Sequence, residues 1–201
     1  TQKFRQALGL VAPSKTNPNA IELPPYYPDL PEVRQDIARH YDNIRTMDAK
    51  VGAILAALEK DGLAESTIIV WTTDHGDGLP RAKRELLDTG IHVPMIIYVP
   101  EQLAKGTLAA LRPQVQGYSE DNNAALTSQL ISFVDLAPTI LQLAGISPPD
   151  YLHGRDFLQG LGSTKTSRER GPRRYIYASR DRIDEVIDKQ RAIRSHDYKY
   201  I

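Results

Sequence analysis

The run Ser66-Thr67-Ile68-Ile69-Val70-Trp71-Thr72-Thr73 is β-branched and apolar almost without a break, and it stops at Asp74-His75-Gly76-Asp77-Gly78. A strand with one wet face alternates in polarity. A continuous run fits a strand covered on both faces, as in a parallel sheet flanked by helices. This feature narrows the chain to a layered α/β architecture, and the rest of the sequence supplies the other layers.

A second strand is read at Pro94-Met95-Ile96-Ile97-Tyr98-Val99, joined to the first by a loop or short helical turn. From residue 32 to about residue 62, Val33, Ile37, Tyr41, Ile44, Met47, Val51, Ile54, Leu55 and Leu58 recur at steps of three or four. That is the period of a long amphipathic helix, and Asp61-Gly62 supplies its stop signal. Another helix is read over residues 133–145, with Pro138 in its first turn and Gly145 at its end. Upstream, Pro13, Pro18, Pro24, Pro25, Pro28 and Pro31 preclude regular structure and suggest an extended segment laid over a surface. Downstream, residues 160–174 are rich in Gly, Ser, Thr and Arg, as a flexible connection is. Short strands are expected over residues 175–179, 189–194 and 198–201. The expected organisation is an extended segment over 1–31, an α/β portion over 32–148, and a small C-terminal α+β subdomain with antiparallel strands over 149–201.

Twenty-five basic residues balance twenty-five acidic ones, so no overall field draws the chain to nucleic acid or an anionic membrane, and an anion site must be local. The apolar runs fall well short of the roughly 20 residues that cross a bilayer. With no cysteine, the chain has no disulfide, thiolate nucleophile or thiolate metal site. Thr1-Gln2-Lys3-Phe4-Arg5 has neither an initiator Met nor the layout of a signal peptide, which suggests an excerpt from something longer.

In open α/β sheets ligands gather beyond the carboxyl ends of the strands, where loops converge. Asp74 and His75 stand at such a place, and a carboxylate oxygen beside an imidazole nitrogen is a plausible part of a divalent-metal shell. Taken alone, Asp-His-Gly reads more simply as a turn closed by an Asx-type hydrogen bond.

The longer block from Thr72-Thr73-Asp74-His75-Gly76 through Lys83 to Gly90-Ile91-His92-Val93-Pro94 resembles the C-terminal signature of the sulfatase family within the alkaline-phosphatase superfamily. Met47-Asp48-Ala49-Lys50-Val51-Gly52 before the Leu58-Glu59-Lys60-Asp61-Gly62 turn, Val134-Asp135-Leu136-Ala137-Pro138-Thr139, His153-Gly154-Arg155 and Tyr198-Lys199-Tyr200-Ile201 look like further family landmarks in the expected order. The resemblance implies an alkaline-phosphatase-like sheet with flanking helices, present in part. It makes Asp74 and His75 ligands of Ca²⁺ and makes Lys83, seven positions before Gly90, the basic residue that contacts the sulfate. It implies hydrolysis of sulfate esters or sulfamates, with a sulfated small molecule or saccharide as substrate.

The family's formylglycine motif, Cys/Ser-x-Pro-x-Arg, does not occur here, nor do its paired N-terminal aspartates. The N-terminal half of the same protein is therefore an expected partner, and this chain alone is expected to be inert. Asp77, Arg81 and His92 fall where the family varies, and the short link from Gly78 to Lys83 resembles the heparan N-sulfatase branch. Within Ser179-Arg180-Asp181-Arg182-Ile183-Asp184-Glu185, Arg180 or Arg182 could fork onto a sulfated sugar, although a solvated loop of self-neutralising charges is the simpler reading. His153 is a further substrate-binding candidate. A phosphodiesterase or phosphonate-ester hydrolase of the same superfamily and a non-catalytic sulfated-glycan-binding module are the competing readings. Family members are commonly exported or lysosomal, which the residues here do not decide.

Overall fold

A computed structural model describes residues 15–104, 128–158, 173–183 and 185–201. Part of the Pro-rich segment and most of the expected 160–174 connection lie outside the described residues. The chain divides into two compact units, one ending at Ala64 and the other beginning at Glu65.

The first unit is organised by α1 (Pro31–Lys60), whose proline sits at the start, where a missing N–H costs nothing. At the other end Gly62 N–H bonds Glu59 O at 3.0 Å and Leu63 N–H bonds Leu58 O at 3.0 Å, the paired closure of a glycine-terminated helix. Residues 15–30 lie along this helix and are held to it by two polar clamps. The Arg34 guanidinium donates to Ile21 O at 2.9 Å and to the Asp29 carboxylate. The Asp42 carboxylate accepts from Lys15 N at 2.6 Å and from the Thr16 hydroxyl at 2.7 Å. Ile21, Ile37 and Ala38 form the buried centre of the unit. Of the rest of the expected apolar stripe, Val33, Val51 and Leu58 are half-buried and Tyr41, Ile44, Met47, Ile54 and Leu55 are exposed.

Among the described residues the second unit contains two sheets. In the first, β1 (Ile69–Thr72) pairs with β2 (Met95–Tyr98) in antiparallel register, Ile69 opposite Tyr98 and Thr72 opposite Met95. This corrects the expectation of a parallel strand buried on both faces. The apolar run reports how much surface seeks cover and says nothing about the direction of the neighbouring strand. Here Val70, Ile96 and Tyr98 remain exposed, Ile96 at 61%. Between the two strands the chain makes a string of turns and α2 (Asp88–Ile91), and β2 is followed by α3 (Glu101–Ala104). The expected helix over 133–145 is found as a single 3-10 turn, Phe133–Asp135, running into α4 (Leu136–Leu143), with Pro138 buried.

The second sheet has the order β3 (Ile176–Ile183), β4 (Val186–Arg194), β5 (Lys199–Tyr200), antiparallel throughout. The stretch read as a charged loop after residue 179 is instead strand up to Ile183, with a register shift between Arg180 and Arg182. Two steps along β3, from Arg180 to Arg182, face three along β4, from Gln190 to Ile187, so the extra residue of this bulge lies on β4. Arg180 is buried before it and Arg182 is exposed after it, whereas strict alternation would have put both on one face.

The landmark Val134-Asp135 and the landmark Gly154-Arg155 meet in this unit. A Cβ on Gly154 would lie 1.8 Å from Val134 O, so only glycine admits this approach. Asp135 is 1% exposed and accepts from Arg173 Nε at 2.6 Å, Arg155 N at 2.9 Å and Ser132 N at 3.1 Å. Burial works against its ionised form, but Arg173 and the two backbone N–H groups outweigh burial and hold the carboxyl below the usual carboxylate range. Thr139 completes the knot, donating to Asp135 O at 2.6 Å and accepting from Phe157 N at 3.3 Å.

Candidate metal and sulfate site

β1 ends by delivering Asp74 and His75 to the mouth of an open cleft of about 1070 Å³, also lined by His92, Arg182, Arg194 and His196. The Asp74 carboxylate is exposed, and its side-chain partner among the described residues is His75, with Nε2 to Oδ2 at 3.5 Å. The other ring nitrogen, Nδ1, lies 2.6 Å from Gly76 O. A carbonyl oxygen only accepts, so Nδ1 carries hydrogen and the neutral ring keeps its lone pair on Nε2. Two lone-pair atoms facing each other at that distance repel unless a proton or a metal cation lies between them. A hard carboxylate oxygen and an oriented imidazole thus fit a divalent cation, although they are only part of a shell. Among the described residues no group of three or more His, Cys, Asp or Glu side chains comes together to hold a metal ion.

The turn that aims this pair depends on close backbone approach. Gly76 N–H bonds Gly90 O at 2.9 Å, and a Cβ on Gly76 would fall 1.8 Å from Thr89 O. Gly76→Ala must push these strands of the loop apart, and overpacking of this kind costs about 1–3 kcal/mol. A fall of that size in the chemical-denaturation midpoint energy is expected, and an unchanged midpoint would show the approach to be looser than described.

Lys83 is exposed and is not among the residues lining the cleft. Its N–H bonds Asp77 O at 2.9 Å, and it stands between Arg81 and Arg84, whose φ angles of 68° and 72° are left-handed. That conformation costs a non-glycine residue roughly 1–2 kcal/mol and persists only where the surroundings impose it. At Arg81 the carbonyl accepts from the Thr89 hydroxyl, and around Arg84 the surroundings include ion pairs from the C-terminal sheet. Arg180, with its side chain 8% exposed, donates to Arg84 O at 3.1 Å and to Glu85 Oε2 at 2.7 Å, and it also binds the Asp188 carboxylate. Lys199 Nζ and Arg194 Nη1 reach Asp88 at 2.9 and 3.1 Å. Burial raises the Asp88 carboxyl, but Lys199, with help from Arg194 and His92, brings it below its ordinary value.

The structure therefore brings Asp74 and His75 together and places both Arg180 and Arg182 in the cleft lining, Arg182 exposed and Arg180 nearly buried and tied to Glu85 and Asp188. His153 is exposed and does not line the cleft. Glu85, Asp88, Asp135, Arg173, Arg194 and Lys199 were not singled out from the sequence. Ser132 three residues before Asp135 is a capping-box spacing that could have flagged that carboxylate. The other partners lie too far apart in sequence to leave a local signal.

These features define an α/β protein whose first strand presents a carboxylate and an imidazole beside a cleft with basic groups on another wall. The model of the Sulfatase family matches residues 11–146, more than half of the sequence, and the chain belongs to the sulfatase family. It is 41% identical over 179 residues to the ulvan-active sulfatase of Formosa agariphila, covering 89% of this chain and 26% of that protein. It is 27% identical to human N-sulphoglucosamine sulphohydrolase, covering 74% of this chain and 28% of the relative. A solved structure of a protein in complex with its substrate D-glucosamine-2-N,6-O-disulfate matches with a TM-score of 0.58 at 25% identity, over 83% of this chain and 30% of that one. The chain thus spans little more than a quarter of the length of these curated relatives.

Proposed function

We propose that the full-length protein is a calcium-dependent sulfatase that hydrolyses sulfate groups on a sulfated saccharide. This chain contributes Asp74 and His75 to the cation and Lys83 to the sulfate. The observation that carries the reading is the convergence of Asp74 Oδ2 and His75 Nε2 at 3.5 Å, in a member of this family, with the imidazole oriented through Gly76 O. When bound, the cation supplies a fixed positive charge against which a sulfate oxygen is held. Asp74 gives it a charged oxygen ligand, and His75 gives it an imidazole nitrogen whose tautomer is set by the backbone. The Lys83 ammonium grips a second sulfate oxygen and offsets negative charge that develops on the bridging oxygen as the S–O bond breaks.

The nucleophile, a formylglycine, and the remaining carboxylate ligands belong in this reading to the part of the protein outside the chain. The exposed apolar residues of α1, β1 and β2 support it, because a two-stranded ribbon is marginal by itself and its faces suit further strands and helices. A saccharide substrate is favoured by the names of the relatives, ulvan-active sulfatase and N-sulphoglucosamine sulphohydrolase. Arg182, exposed on the cleft wall, is the substrate-contacting arginine in this reading, and His153, away from that wall, has the weaker claim.

Assay of the full-length protein on an aryl sulfate, a sulfated saccharide and an aryl phosphate tests this. Turnover of sulfates that is lost on calcium chelation, restored by Ca²⁺ and lowered on the order of 10²-fold by Lys83→Ala is expected. Preference for the phosphate ester, or sulfate turnover indifferent to chelation, would overturn it.

A further inference from the structure

We propose that Arg180 is a positioning residue that holds the lysine-bearing turn in its left-handed conformation, and that it does not bind the substrate. The inference rests on the proposed role of Lys83. Arg180 already faces two carboxylates, Glu85 and Asp188, so the cluster carries net negative charge and repels a sulfate or a uronate. Arg180 contributes to the cleft lining, but its Nη1 and Nη2 are engaged by Arg84 O and the two carboxylates, and its Nε is buried without a hydrogen-bond acceptor among the described residues.

The guanidinium also grips the turn itself. One of its nitrogens holds both Arg84 O, at 3.1 Å, and the Glu85 carboxylate, at 2.7 Å. Arg84 directly follows Lys83 and has φ 72°. An arginine main chain left to itself avoids that region, whereas glycine enters it freely. The bond to Arg84 O therefore fixes the direction in which the chain leaves Lys83, and the planar fork does so while satisfying two carboxylates at once. The register shift between Arg180 and Arg182 coincides with the change from this inward side chain to the outward Arg182.

The test uses the full-length protein with Arg180→Met, Arg180→Lys and Arg84→Gly, alone and combined. Because misplacement by about 1 Å can cost on the order of 10²-fold, Arg180→Met should lower kcat by roughly 10- to 100-fold while KM changes little. Arg180→Lys keeps the charge but lacks the fork, and should lower kcat in the same direction. Arg84→Gly alone sets the baseline kcat against which the double variants are read. Added to either Arg180 variant, it should recover much of the loss, since glycine holds the turn without help. Amide exchange at Lys83, whose N–H bonds Asp77 O, should quicken in Arg180→Met and slow again in the double variant. A rise in KM that Arg84→Gly does not rescue would make Arg180 a substrate contact and overturn the proposal, as would unchanged exchange at Lys83. Absence of sulfate turnover in the parent protein would instead sink the sulfatase reading, with the exchange comparison still deciding the role of Arg180.

Discussion

Asp135→Ala is expected to lower the unfolding free energy by about 3–5 kcal/mol, the usual cost of stranding one member of a buried ion pair. Arg173, 14% exposed, would lose its forked carboxylate, and the N–H groups of Ser132 and Arg155 would lose their acceptor. Asp135→Asn, which keeps an acceptor but no charge, should fall between the two. In urea denaturation of the full-length protein the midpoint should drop with little change in slope. A loss below about 1 kcal/mol would mean that the two landmark segments are held together by something else. The same carboxylate sets an acid limit. Its value is held below that of the unfolded chain, so its contribution is complete above the ordinary Asp range near pH 4 and is lost as pH falls through the lower folded value. Asp88 shifts in the same direction, so the lysine-bearing loop should loosen over the same acid range. Asp135→Ala should flatten this part of the stability profile.

Asp74→Ala is expected to reduce sulfate-ester turnover of the full-length protein by at least about 10²–10³-fold, the scale seen when one preorganised charge-stabilising group is removed. His75 Nε2 would then face no carboxylate, and the cation would lose a charged ligand. Asp77→Ala, three residues along the same turn, removes an acceptor of the Leu79 N–H bond at 3.0 Å and should cost far less activity. The contrast between neighbouring aspartates separates a ligand from a turn-former. A saccharide-binding module without catalysis would show the opposite pattern, with binding intact in Asp74→Ala and no turnover to lose.

Periodicity revealed most of the elements. The steps of three and four from Val33 to Leu58 became α1, and the apolar runs around Val70 and Ile97 became β1 and β2. Their antiparallel pairing was not legible, because hydrophobicity encodes burial while direction is set by a connection whose path no local pattern dictates. The site divided in the same way. Asp74 and His75 are adjacent in sequence at a strand end, so their proximity could be read directly. The clamp on Arg84 joins residues 96 apart, and the tie from Lys199 to Asp88 spans 111. Arg180 therefore looked like part of a solvated charge run. Only folding reveals that its partners arrive from another part of the chain and that a bulge separates it from Arg182.

The central claim is that Asp74 and His75 hold a calcium ion. Calorimetric titration of the full-length, metal-stripped protein with Ca²⁺ addresses it directly. One ion per chain should bind the parent, and Asp74→Ala and His75→Ala should each weaken Kd by on the order of 10- to 100-fold or more, at least the scale on which even supporting residues act. Equal calcium affinity in the parent and in both variants would contradict the claim.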